Sequence, residues 1–249
     1  MKDAGMNADQ LLAHYERIAD APDAIVRLRH FILDLAVRGK LVAQDPADEP
    51  AERLLKKVVA ETEAPLDLPE NWLGVPVGSV LDFKYGKGKK ASERLEEGPV
   101  PVFGSNGIVG FTDEPLAENP AIIIGRKGSA GALNLCDGPS WTTDVAYYVE
   151  APRFFDLRYL FLTLQALNLD TLGKGVKPGL SRADAYPLLL GIPPTAEQHR
   201  IVAKVDELMA LCDRLEAALT TADTTRQRLL EALLHEALGP GKQTLEAAE

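Results

Sequence analysis

The sequence predicts an α+β protein. One domain with a mixed β-sheet is flanked by N-terminal helices and followed by a long C-terminal coiled-coil helix. Three observations carry this. Apolar residues recur at helical spacing through the first sixty positions. From about Trp72 to Val149, glycine-punctuated runs rich in β-branched and aromatic residues replace them. From Ile201 onward an apolar seam alternates in steps of four and three.

In the first part, Leu11, Leu12, Tyr15 and Ile18 fit one helix that Pro22 closes. A second, from Asp23, puts Val26, Phe31, Ile32 and Leu35 on one side and stops at Gly39, a residue suited to a left-handed C-terminal cap. Asp45-Pro46-Ala47-Asp48-Glu49-Pro50 reads as a turn into a third short helix bearing Leu54, Leu55, Val58 and Val59. These make a helical segment over 1–62. The two prolines of ETEAPLDLP, without periodicity, place a linker at 63–70.

The domain proper spans 71–190. Strands are expected over Val75–Leu81, Pro99–Phe103, Ile108–Phe111, Ala121–Ile124 and Val145–Val149, separated by turns such as Ser105-Asn106-Gly107 and Asp137-Gly138-Pro139. A helix is expected over Leu157–Leu169, followed by the glycine-rich loop from Gly173 to Gly179. The last helix occupies 191–240, with a tail at 241–249. Its seam is Ile201, Val205, Leu208, Cys212, Leu215, Leu219, Ala222, Arg226, Leu229 and Leu233, more than four heptads and about 50 Å at 1.5 Å per residue. One small domain can hardly cover such a length. The partner is the N-terminal helices, a second copy of the chain, or another subunit.

Composition narrows the function classes. No run approaches 18 apolar residues, so no membrane span is expected. The first residues lack the basic-then-apolar order of a signal peptide, and a cytoplasmic location is expected. Cys136 and Cys212 fit buried thiols. His14, His30, His199 and His235 lie in helix-like segments without a second ligand at metal spacing, so no metal and no cofactor is expected. The net charge of −10 is uneven. Residues 1–77 carry 9 basic and 14 acidic side chains, residues 191–249 carry 6 and 10, and residues 78–190 carry 12 and 13. The middle is thus close to neutral with local basic bursts, and a polyanion responds to the field within a Debye length, about 8–10 Å.

Three stretches resemble the specificity subunits of type I restriction–modification systems: FILDLAVRGKLVAQDPADEPAERLL within Leu28–Leu55; PVPVFGSNGIVGFTDEPLAENPAIIIGRKGSAG over Pro99–Gly131, with Trp141 and Asp144–Tyr148; and IPPTAEQHRIVAKVDELMALCDRLEAAL over Ile192–Leu219. The resemblance implies a non-catalytic subunit whose target-recognition domain reads one half of a split site in double-stranded DNA. It also implies helices that separate such domains and dock the methyltransferase (modification) subunit, with the restriction subunit joining through the complex. Members usually carry two recognition domains; this sequence holds one and looks half-length. A homodimer with antiparallel seams would restore two and read a palindromic, interrupted site.

DNA contact asks for cations at phosphates and for fork-shaped or amide side chains at base edges. The run Lys84-Tyr85-Gly86-Lys87-Gly88-Lys89-Lys90 fits a phosphate-binding turn and also a solvated one. Arg126 and Lys127 emerge after the Ala121–Ile124 strand. Arg126 can fork onto guanine or phosphate, or pair with a nearby acid. Lys174, Lys177, Ser181 and Arg182 form a third basic cluster. Ser105 and Asn106 fit a loop-tip contact and turn chemistry equally, and Thr142, Thr143 and Asp144 could meet bases or be structural.

Enzyme patterns are poorly met. Gly86–Ala91 fits a relaxed dinucleotide-binding glycine pattern without the surrounding βαβ unit. Ile192-Pro193-Pro194-Thr195 lacks the acid or amide and the aromatic that hold a flipped base. Glu70, Asp82 and Lys84 imitate the acid, acid, lysine order of magnesium-dependent nucleases, which would need a two-carboxylate metal site. A scaffold that holds the methyltransferase without binding DNA is the other alternative, and the net charge favours it.

Overall fold

A computed structural model describes residues 23–51, 67–173 and 179–238. The expected helices around Leu11 and Leu54, and the loop positions Lys174 and Lys177, lie outside these. The described residues form two compact units, one of residues 30–206 and one of 23–29 with 207–238.

Helix α1 runs Ala24–Val37, and Gly39 closes it with φ +66° as its residue type predicted. After it, Asp48 N–H donates to Asp45 O at 3.1 Å and Ala47 N–H to Asp45 Oδ1 at 2.9 Å, the turn that Asp-Pro anticipated. Strand β1 is Leu73–Pro76. The expected strand continues no further, because Val77–Val80 is a single helical turn, α2. Its neighbours dictate this: Val77 and Gly78 N–H donate to Leu188 and Tyr186 carbonyls at 2.8 and 3.0 Å, and Gly78 lies so close to the Tyr186 ring that a Cβ would stand 2.7 Å from it.

Then follow β2 (Lys84–Tyr85), β3 (Val100–Phe103), β4 (Ile108–Thr112), β5 (Ala121–Gly125), β6 (Leu133–Cys136), β7 (Trp141–Thr142) and β8 (Ala146–Glu150). Helix α3 is Leu157–Ala166, a short α4 is Arg182–Ala185, β9 is Leu189–Ile192, and α5 is Thr195–Leu238. The first four expected runs after β1 and the final helix coincide with elements; β2, β6, β7 and β9 had no sequence signal strong enough to name them. Helix α3 ends three residues early, where Asn168 turns left-handed (φ 48°) into a 3₁₀ turn. Its start is capped by Asp156, whose Oδ1 accepts from Tyr159 N–H at 2.9 Å.

The strands make three small sheets. One pairs β1 with β9, one runs β2-β8-β5-β6, and one runs β4-β3-β7 with β3 and β7 parallel, so the strand pairing is mixed. Strand β5 is central in the four-stranded sheet, and Ile122, Ile123 and Ile124 are wholly buried, which explains an unbroken apolar run in place of alternation. Tyr159, Leu160 and Leu164 of α3 join this core, with Phe83 and Tyr147.

The TAEQHR start of α5 is held by a polar network. Gln198 is fully buried; its amide donates to Phe154 and Pro193 carbonyls at 2.8 and 3.1 Å and accepts from Asp156 N–H at 2.7 Å. Arg200 forks onto Asp48 at 2.6 and 3.2 Å, and Gln44 donates to Glu197 at 2.7 Å. In the second unit, Arg29 bridges Asp213 and Glu216 at 2.7 and 2.6 Å, while Ile25 and Cys212 are buried. The N-terminal helix therefore covers part of the seam, one of the three expected partners. Farther on, Leu229 and Leu233 are about three-fifths exposed, with Leu230 and Leu234 beside them.

Candidate nucleic-acid interface

The site grows from the edge of the four-stranded sheet. Strand β2 pairs antiparallel with β8, Tyr85 opposite Tyr147, and β8 pairs with β5, Tyr147 opposite Ile124. Strand β5 ends at Gly125, so Arg126 leaves the sheet beside Tyr147. Its main chain is pinned on both sides: Arg126 N–H donates to Val145 O at 2.9 Å, and Leu180 N–H to Arg126 O at 2.9 Å. Gly125 has no space for a side chain, since a Cβ would stand 1.9 Å from Ser129 O and 2.4 Å from Ser105 O. That close approach brings the Ser105-Asn106-Gly107 turn against the Arg126-Lys127-Gly128-Ser129 turn.

Two arginines share one pair of rings. The Arg126 guanidinium lies 5.1 Å from the Tyr85 centroid and 5.8 Å from that of Tyr147. Arg182 lies 4.4 Å from Tyr85 and 5.8 Å from Tyr147. Among the described residues Arg126 pairs with no carboxylate, and a cation–π contact with Tyr85 stands where a salt bridge could have been. Arg182 is tied down: it donates to Phe83 O and stands 3.7 Å from Asp82. Tyr147 is buried and its hydroxyl donates to Leu180 O at 3.2 Å; burial, then the Tyr85 hydroxyl, push its pKa up to about 12, against the two arginines.

The lysine run divides. Lys84 forms an ion pair with Glu150, whose other oxygen accepts from Asn119 at 3.0 Å; this pair raises the Lys84 pKa and lowers that of Glu150. Lys89 lies 4.0 Å from the Trp141 centroid and donates to Thr112 Oγ1 at 2.5 Å. Both ammonium groups have partners within the domain, unlike the phosphate-binding turn expected of the run. Lys87 is exposed, 6.0 Å from the Trp141 ring, and Lys90 is exposed as well. The turn is rigid, because Lys87 N–H donates to Thr142 O at 2.8 Å, Trp141 Nε1 to Lys87 O at 2.9 Å, and Arg94 to Lys89 O at 2.7 Å.

Thr142 and Thr143 are buried, and Thr143 donates to Phe103 O at 2.9 Å. They shape the turn and are all but closed to a base, which corrects their place as base contacts. Asn106 and Asp144 are exposed, and Ser105 is half-buried. Of the acid, acid, lysine set, Asp82 faces Arg182 and Lys84 pairs with Glu150. Tyr85, not singled out in the sequence, lies beside both guanidinium groups. Its signal was an aromatic embedded in a lysine-glycine run, at a position that proved 54% exposed.

Fold and site together define an α+β module that presents cations beside aromatic rings, continued by a long helix with an apolar seam. The chain belongs to the type I restriction modification DNA specificity domain family, which matches residues 69–222. It is 28% identical to the EcoEI specificity subunit of Escherichia coli, over 84% of this chain and 43% of that protein. To the EcoAI specificity subunit of Escherichia coli it is 25% identical, over 93% and 48%. It thus spans less than half the length of these relatives, each a specificity subunit of a type I restriction enzyme. Among solved structures, the S subunit of a type I system from M. genitalium shares the fold with a TM-score of 0.54 at 21% identity, over 89% of this chain and 56% of that one. The HsdS subunit from Thermoanaerobacter tengcongensis does so at 0.53 and 22%, over 92% and 57%.

Proposed function

We propose that this chain recognises a specific sequence in double-stranded DNA and directs a separate methyltransferase and nuclease to it, without catalysis of its own. The observation that carries this reading is the pair of arginines stacked on Tyr85 and Tyr147 beside the Ser105–Asn106 turn. Arg126, Lys127, Arg182, Ser105 and Asn106, with Lys87 and Lys90 on the rigid turn, supply base-edge and phosphate contacts, joined by Lys174 and Lys177. The site read is bipartite. A homodimer, paired through the exposed end of α5, provides the second half, and the helices dock the modification subunit. The complex works in the cytoplasm; no helix among the described residues is long and apolar enough to cross a membrane.

Selection from a random duplex pool, with and without the methyltransferase subunit, tests this. Enrichment of a split palindrome is expected. No enrichment even with the methyltransferase favours the scaffold reading, which the net charge of −10 supports.

A further inference from the structure

Tyr85 stands at the outer end of a row of rings. Tyr186 packs edge-on to Phe83 (5.5 Å between centroids), Phe83 against Tyr147 (5.9 Å), and Tyr147 against Tyr85 (5.1 Å). Phe83 and Tyr147 are buried and Tyr186 is half-buried, so the row is anchored in the core and Tyr85 is its exposed end. An exposed tyrosine on a two-residue edge strand gains little from burial there. What it does is carry a guanidinium.

Stacking engages the face of a guanidinium and leaves the N–H groups at its edge free. The Arg126 main chain is fixed by two hydrogen bonds and its guanidinium lies 5.1 and 5.8 Å from the two ring centroids, yet none of its N–H groups is spent on a carboxylate among the described residues. Arg182, on the same ring, has one nitrogen committed to Phe83 O and an acid nearby. Arg126 is therefore the fork left open, and a planar double donor of fixed orientation matches the O6 and N7 acceptors of guanine in the major groove. Without the ring, the same arginine would sample many rotamers and serve any phosphate equally.

We infer that Tyr85 is a specificity-determining positioning residue: its ring orients the Arg126 fork so that one position of the half-site is read as guanine. This rests on the DNA-recognition reading above. The test selects duplexes from a random pool with the 249-residue chain as wild type, Tyr85→Leu, Tyr85→Phe and Arg126→Lys, with folding of each checked by thermal melting. The wild type is expected to enrich a motif containing guanine at the position in question. Tyr85→Leu should lose that preference about tenfold while keeping the rest of the motif, Tyr85→Phe should retain it, and Arg126→Lys should relax the same position. A folded Tyr85→Leu variant with the wild-type motif, or with a uniform loss at every position, overturns the assignment while DNA recognition stands. Should Tyr85→Leu fail to fold, an Arg126→Lys motif unrelaxed at any guanine overturns it. A wild type that enriches nothing removes the DNA reading and this assignment together.

Discussion

The Lys89 ammonium sits 4.0 Å from the centre of the Trp141 ring, with Thr112 Oγ1 as its hydrogen-bond acceptor. A residue 52 positions further along the chain thus fixes the lysine-rich turn before any ligand arrives. Replacing Lys89 with Met should lower stability by about 0.5–1 kcal/mol in urea unfolding and leave the salt dependence of DNA binding nearly unchanged. A lost unit of salt slope would mean that Lys89 contacts phosphate after all.

Lys87 and Lys90 are the exposed cations of the same turn. Their joint replacement by Ala should weaken binding to every duplex alike. The slope of log K against log salt should fall by about 1.8, near 0.9 for each phosphate contact. Fluorescence anisotropy between low and moderate salt measures this, and an unchanged slope would take the turn out of the interface.

Glu150 and Lys84 make a pH-dependent contribution. The Lys84 hydrogen bond holds the Glu150 carboxyl below its ordinary value, against the effect of burial. A folded-state pKa below the unfolded one gives stability that is complete above the ordinary carboxylate range, about 4.3, and lost as pH falls through the folded value. Glu150→Gln should be less stable than wild type at pH 7, by no more than about 1 kcal/mol because the pair is partly solvated, and the difference should vanish once the pH has fallen below the lowered folded-state value. A difference that persists in acid would point to packing instead of the ion pair.

Gly125 admits no larger residue. Its Cβ position falls 1.9 Å from Ser129 O and 2.4 Å from Ser105 O, both backbone atoms. Gly125→Ala must push the two turns apart, and should cost about 1–3 kcal/mol and disturb Arg126. A melting temperature equal to that of wild type would contradict the packing described.

Leu229, Leu230, Leu233 and Leu234 are between 49% and 62% exposed at the end of α5. Asp at both 229 and 233 should turn a dimer into a monomer in sedimentation without loss of helix. A double variant that still dimerises would show that the chains pair elsewhere, with Leu208 and Leu215 the next positions to charge.

Local regularities made much of the fold legible. The heptad spacing of Ile201–Leu233 named the long helix, Gly39 its predecessor's end, and the apolar run 121–124 the central strand. The two-residue strands Lys84–Tyr85 and Trp141–Thr142 escaped notice because so short a segment has no periodicity; each exists only through its partner strand. The site was legible as a set of cations, and no further. Whether a cation is free depends on what stands opposite it, and Glu150 is 66 residues from Lys84.

By itself the sequence determined the class of fold, the placement of its longer helices and strands and which segments carry charge, because these follow from side-chain pattern along the chain. The tertiary structure decided which cations are spent and which remain open. It paired Lys84 with Glu150, laid Lys89 over Trp141, buried Thr142 and Thr143, and, among the described residues, left the Arg126 fork without a carboxylate beside Tyr85. The reason is physical: electrostatic partnership and stacking act over a few ångströms in space, between residues whose separation along the chain carries no trace of that nearness.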